Sequence, residues 1–103
     1  MIESYVQEFI EITKHLKKRQ DTIKRGEFLL STRETVTNLL NKNMYDTADN
    51  KLKIWRGLRW IDTDPQRVTR RIYGIYENGK PIPMIKINLR IYQVLSKIVE
   101  EGS

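Results

Sequence analysis

Apolar residues recur at helical spacing from the start of the chain. Ile2, Tyr5, Val6, Phe9, Ile10 and Leu16 fall on one side of a helix over residues 2–19, the pattern of an amphipathic helix with one face to a core. Residues 17–25, KKRQDTIKR, are polar and either extend this helix or begin a linker. Gly26 interrupts the pattern, and Glu27-Phe28-Leu29-Leu30 reads as a short strand. Ser31-Thr32-Arg33-Glu34 then has the spacing of a capping box, in which the Ser31 hydroxyl accepts from the Glu34 N–H and the Glu34 carboxylate reaches back to the Ser31 N–H. The helix it opens carries Val36, Leu39 and Leu40 on one side. It stops near Asn41-Lys42-Asn43, where an asparagine can take the left-handed conformation. Asp46 or Thr47 caps a third helix. There Leu52, Trp55 and Leu58 form an apolar edge with Ile54 and Ile61 beside it, which leaves Asn50, Lys51, Lys53 and Arg56 facing outward. Gly57 ends this helix or sits late within it, and Asp62-Thr63-Asp64-Pro65 is a turn, because the residue before proline disfavours α.

Residues 67–88, RVTRRIYGIYENGKPIPMIKIN, read as one β-hairpin turning at Asn78-Gly79. Asn-Gly suits a two-residue type I′ turn, whose central residues both need positive φ. That turn sets Glu77 opposite Lys80, Ile75 opposite Ile82, Tyr73 opposite Met84 and Arg71 opposite Lys86. Pro81 and Pro83 then fall at non-hydrogen-bonded positions, where a missing N–H removes nothing from the ladder. One face carries Val68, Ile72, Ile85 and Ile87 and suits a core. The other carries Arg67, Thr69, Arg71, Tyr73, Met84 and Lys86 and suits water or a polyanion. Arg70 breaks the alternation: either it snorkels to the edge of the apolar face or a bulge near Val68 shifts the register. After the hairpin, Asn88 caps a final helix with Leu89, Tyr92, Val94, Leu95, Ile98 and Val99 as its stripe.

The expected organisation is a single α+β domain over residues 1–103, with an N-terminal helical segment (1–25), a central unit (27–88) and a C-terminal helix (89–101). There is no repeat and no low-complexity tract. The order helix, short strand, helix, helix, hairpin, helix resembles the winged helix-turn-helix superfamily over residues 27–88. Phe28-Leu29-Leu30-Ser31 looks like the strand entering the motif and Thr32–Leu40 like its first helix. Thr47–Leu58 looks like the recognition helix, Arg67–Asn88 like the wing. The stretch KLKIWRGLRWI is similar to the way such recognition helices end.

Charge sharpens this picture. The 103 residues carry a net charge of +6, with residues 1–30, 31–60 and 61–103 contributing +1, +3 and +2. The excess lies from the middle onward, where Lys51, Lys53, Arg56 and Arg59 occur with no acid between them. That is the electrostatic footprint of a polyanion binder. The absence of cysteine excludes disulfides and thiolate metal sites, and fits a reducing compartment. No apolar run approaches the ~18 residues of a membrane span, and MIESYVQEF lacks the regions of a signal peptide. An intracellular, cytoplasmic location is the expectation.

No catalytic constellation stands out. His15 is the only histidine and sits among lysines on the first helix; one histidine without cysteine makes no zinc site. Asp62 and Asp64 suggest a magnesium pair, but aspartate is common in such turns. A Gly-rich phosphate loop and a nucleophile elbow are both absent. The expectation is a non-catalytic protein without cofactor or metal.

What the resemblance implies is a recognition helix in the major groove with the wing beside the backbone. On this chain Asn50, Lys51, Lys53 and Arg56 are then the candidates to reach base edges or phosphates. Arg67, Arg71 and Lys86 would contact phosphates from the wing. Ser31, Thr32 and Arg33 would bind a phosphate at the start of the second helix. Trp55 belongs to the core edge, whereas Trp60 lies off the main stripe and is free to serve a partner or stack on a base. The expected partner is double-stranded DNA, bound by a transcriptional regulator or an accessory protein of a replicating or mobile element, with a homodimer through the terminal helices as the further expectation. The rival is an interaction module of the same fold facing an acidic protein. RNA binding stays open through Tyr73.

Overall fold

The computed structural model describes residues Ile2–Gly102. Among them the chain forms four helices and five strands: α1 (Ile2–Lys17), β1 (Ile23–Arg25), β2 (Phe28–Ser31), α2 (Arg33–Leu40), α3 (Ala48–Gly57), β3 (Ile61–Asp62), β4 (Arg70–Glu77), β5 (Lys80–Asn88) and α4 (Leu89–Glu101). The sheet is antiparallel throughout, in the order β1-β2-β5-β3, with β4 paired to β5 off that path. The element order matches the sequence pattern except for β1 and β3; Ile61-Asp62, expected beside the third helix and in the turn after it, instead pairs with Ile87 and Lys86 of β5. Ile23-Lys24-Arg25 is not a polar tail of α1; it folds back on β2 through Gly26, whose φ is +57°.

β5 has two halves with different neighbours. Phe28–Ser31 and Ile61–Asp62 flank its C-terminal half, so Ile85–Asn88 lies inside the sheet. Its first half, from Lys80 to Met84, pairs only with β4. Pro81 and Pro83 both lie in this half, where one edge needs no donor.

Alternation along the strands separates two apolar clusters. Leu29, Ile61, Ile85 and Ile87 point into the main core, with Phe9, Leu16, Val36, Leu40, Leu52, Trp55, Trp60 and Tyr92 from the helical side. On the opposite face, which no helix covers, Leu30, Ile72 and Met84 form a small second cluster with Ile23, Ile75 and Ile82 around it. Residues facing each other across an antiparallel pair share a face. Phe28, Asp62 and Lys86 therefore lie on this second face with Leu30.

The hairpin turns where its sequence indicates: Asn78 and Gly79 both have positive φ, 53° and 76°, and Glu77 faces Lys80. Beyond Tyr76 the expected register fails. A bulge between Ile72 and Tyr76 brings Ile72 opposite Ile82, Arg71 opposite Pro83 and Arg70 opposite Met84. The bulge is odd in length, so it inverts the faces. Met84 and Thr69, expected outward, are buried. Lys86 faces Leu30 and Asp62 instead of Arg71. Arg70 does share a face with Ile72, but that face ends at two aspartates, so its charge is met without snorkelling to the rim.

The helix ends differ by small steps from the pattern. Thr32, not Ser31, caps α2 and accepts from the Thr35 N–H, so the box with Glu34 does not form. Asn41 ends α2 in the right-handed region. Thr47 caps α3 and Asn88 caps α4, as the sequence indicates. Gly57 is the last residue of α3. Beyond it Arg59 takes φ +61°, the Arg59 N–H donates to the Arg56 carbonyl, and the Trp60 N–H donates to the Trp55 carbonyl at 2.9 Å. This is a Schellman ending with arginine where glycine is usual. Leu58 is left exposed, and Trp60 is turned inward.

Candidate nucleic-acid interface

Helix α3 buries Ala48, Lys51, Leu52 and Trp55, which lie at i, i+3, i+4 and i+7. Lys51 is thus on the apolar arc, and its side chain is 0% exposed. Its ammonium lies 3.0 Å from Glu8 Oε1 of α1. It also donates to the carbonyls of Leu40 at 2.8 Å and Asn43 at 2.6 Å. Three donors meet three acceptors, which is what an ammonium must find once removed from water. Glu8 in turn accepts from the Tyr45 hydroxyl at 2.6 Å and the Asn43 amide at 2.7 Å. The Lys51 ammonium sits 4.2 Å from the Tyr45 ring centroid. Burial first, then its bond to Glu8, pushes the Tyr45 hydroxyl well above its ordinary range. Lys51 is therefore an internal tie between α1, the end of α2 and α3, and not a ligand for an external phosphate. Ser31 is likewise interior, 3% exposed, on β2 opposite Ile85.

The remaining α3 candidates face outward with partners already at hand. The Asn50 amide donates to Asp46 at 2.7 Å. Asp46 also accepts from the Tyr5 hydroxyl at 2.6 Å. The Tyr5 bond, then that of Asn50, holds the Asp46 carboxyl below its usual range. Asp49 lies 3.1 Å from Lys53 and 3.5 Å from Arg33. These exposed pairs are weak and exchange readily for a stronger anion. Arg56 is half-buried on the last turn of α3, next to exposed Arg59. Thr32 is exposed but its hydroxyl bonds Thr35. Towards the hairpin, Arg67 and Arg71 are exposed; the Arg71 guanidinium reaches Asp64 only at 3.9 Å, though its backbone N–H donates to the same carboxylate at 3.0 Å.

Lys86 belongs to the helix-free face of the sheet. Its ammonium lies 3.2 Å from Asp62 and 4.3 Å from the centroid of the Phe28 ring. Arg70 binds Asp62 at 2.7 Å and Asp64 at 3.3 Å. Burial tends to raise the Asp62 carboxyl, but Arg70 and Lys86 together outweigh it and leave it below its ordinary value of 3.8. A carboxyl depressed in the fold contributes stability above its unfolded value and loses it as pH falls through the folded one. The Asp62→Asn variant is therefore expected to lose less thermal stability than the parent on acidification from about pH 5 to pH 2. Parallel melts across that window check it, and superimposable acid limbs would show that Asp62 carries none of the effect.

Around these residues the sheet face is concave. One hollow of about 450 Å³ is bordered by Arg56, Arg59, Thr63 and Asn88. A second, of about 690 Å³, is bordered by Arg25, Asp64, Arg70, Arg71, Tyr73 and Lys86. Phe28 and Asp62 border both. Arg25, Arg59 and the role of Phe28 escape a reading by motif. The available signals were Gly26, which turns β1 onto β2, and Gly74, the residue in the bulge that can take positive φ. Among the described residues no cluster of histidine, aspartate and glutamate could hold a metal ion, and no helix is long and apolar enough to cross a membrane.

Neither a protein-family model nor a curated protein sequence matches this chain.

Proposed function

We propose that the protein is a winged-helix nucleic-acid binder that grips double-stranded DNA through α3 and the β4–β5 hairpin, without catalysis, as a transcriptional regulator or an accessory protein of a replicating or mobile element. The observation that carries this is topological. A short strand enters a pair of helices, and the β2-β5-β3 sheet then runs out into a long hairpin directly after α3. In a winged helix that order sets the second helix of the pair and the wing on one side. Arg33, Lys53, Arg56, Arg67 and Arg71 supply exposed or half-exposed cations along these elements. Lys51 and Ser31 drop out of the contact set, and Arg59 joins it.

Binding of a labelled random duplex of about 25 base pairs is expected in the micromolar range at low salt, weakening steeply as salt rises. The Arg56→Ala and Arg71→Ala variants are each expected to lower the slope of log affinity against log salt by about one unit. Fluorescence anisotropy at several salt concentrations reads both. No binding at low salt would remove the duplex from consideration. The rival, an acidic protein partner, loses its expected aromatic hot spot because Trp60 is buried. Tyr5, Phe9 and Tyr92 pack within one chain, so a homodimer in this proposal would use the exposed Val94 and Ile98 of α4.

A further inference from the structure

We propose that the larger hollow on the helix-free face of the sheet binds a nucleoside monophosphate unit, with the phosphate between Arg25 and Arg71 and the base against Tyr73. The site goes beyond the duplex reading: it shares Arg71 with that contact set, but neither Arg25 nor Tyr73 belongs to it. Its volume, about 690 Å³, falls within the roughly 300–1,000 Å³ of small-ligand sites. Leu30 and Ile72 give it an apolar floor.

The charges are unequally committed. Asp62 and Asp64 are engaged by Arg70 and Lys86. Arg25 has no carboxylate partner among the described residues and uses one of its N–H groups on the Tyr73 carbonyl, at 2.8 Å. A guanidinium has five such donors, and its planar fork suits a phosphate. The Arg71 backbone N–H donates to Asp64 at 3.0 Å, but its guanidinium comes no nearer that carboxylate than 3.9 Å. Two under-used guanidiniums thus border the hollow, and Tyr73, 69% exposed, borders it with them. An exposed ring beside cations is the pairing that holds a base and its phosphate.

The wall is constructed at some expense to the sheet. The bulge that carries Tyr73 interrupts the β4–β5 ladder. Gly74 within it has φ +95°, and a Cβ there would stand 3.2 Å from Arg25 Nη2. Glycine therefore lets the Arg25 guanidinium lie against the bulge, tying β1 to β4 across the mouth of the hollow. Bulges of this kind re-aim side chains beside functional sites. Arg70 Nε is also buried without a hydrogen-bond partner.

The test is amide chemical-shift titration of the whole chain with AMP, GMP, CMP, UMP, adenosine, inorganic phosphate and a single-stranded oligonucleotide. At least one monophosphate is expected to saturate with a Kd of about 0.1–1 mM. Its shifts should centre on residues 24–30, 70–75 and 86, and adenosine or phosphate alone should bind at least about tenfold more weakly. Arg25→Gln and Tyr73→Ala change exposed side chains, and each should weaken the monophosphate about tenfold while lowering the melting temperature by no more than about 5 °C, the scale of one exposed hydrogen bond. An oligonucleotide that displaces the monophosphate from the same residues identifies a single strand as the source. Displacement by none but free nucleotides identifies a small effector. The proposal fails if no probe saturates by about 10 mM, if inorganic phosphate binds as well as any nucleotide, or if both variants leave the shifts unchanged. Because Arg25 and Tyr73 lie outside the duplex contact set, these variants can fail or succeed whatever the duplex titration returns.

Discussion

Lys51→Ala is expected to remove about 3–5 kcal/mol of folding stability, the effect of leaving one member of a buried ion pair without its partner. Three losses combine. The Glu8 carboxylate, which is 3% exposed, keeps Tyr45 and Asn43 but loses its counter-charge. The Leu40 and Asn43 carbonyls lose their donor at the end of α2, where a cation also suits the helix dipole. A cavity the size of the lysine stem opens beside Leu52. Domains of this size have about 5–15 kcal/mol in total, so the variant stands near the limit of folding. Urea denaturation reads the loss, and a change below about 1 kcal/mol would mean that water enters and solvates Glu8. The double variant Glu8→Leu/Lys51→Met should recover part of the stability, since apolar replacements of buried pairs are often tolerated. Recovery should stay incomplete, because methionine offers nothing to the two carbonyls. Added salt should leave the Lys51 effect almost unchanged, in contrast to the exposed Lys53–Asp49 pair.

Trp60→Ala is expected to lower stability by about 3–5 kcal/mol, as for other buried aromatic residues, and the melting temperature by some 15–30 °C. The indole is 6% exposed. Phe9 packs between the two tryptophans, with its ring 4.9 Å from that of Trp60 and 5.0 Å from that of Trp55, the latter edge-on. Removing Trp60 thus loosens α1 from the junction of α3 and β3. Its backbone is also engaged, the carbonyl accepting from the Asn88 N–H at 2.9 Å. Trp60→Phe, which preserves a ring, should lose much less. Thermal melts of both variants separate this from a surface role, for which Trp60→Ala would melt like the parent and fail only in partner binding.

Elements governed by local patterns were legible. The stripe of α1, the part of the α4 stripe formed by Leu89, Tyr92, Leu95 and Val99, the Thr47 and Asn88 caps and the Asn78-Gly79 turn each depend on residues close in sequence. Val94 and Ile98, expected on the α4 stripe, are instead exposed. Features that depend on remote partners were not. Lys51 occupies an inward position by periodicity, yet its charge argues for water; only Glu8, forty-three residues away, resolves the conflict. Glu8 is the matching misfit, a carboxylate beside Phe9 on the buried side of α1. Trp60 looked free because the ring that covers it, Phe9, comes from α1. The odd-length bulge inverted the faces of β4, so a correct turn still led to wrong pairs. Its local signs were Arg70, which broke the alternation but pointed to a bulge near Val68, and Gly74, which lies within the bulge itself. The contact set changed accordingly: Arg67 and Arg71 stayed at the surface, Ser31 and Lys51 went inside, and Lys86 moved to the floor of the sheet.

The split pairing of β5 has a mechanical side. Ile85–Asn88 is gripped by strands on both edges and by the main core beneath, whereas Lys80–Pro83 is held by β4 alone. Stiffness therefore changes abruptly at Met84. The hairpin tip behaves as a cantilever whose root is the second apolar cluster of Leu30, Ile72 and Met84. Bending it breaks few contacts and leaves the helical core intact, so the tip can follow an irregular surface while its root stays fixed. Arg25, bonded to the Tyr73 carbonyl, is the strut on that cantilever, joining the hairpin to β1 at a point beyond its root.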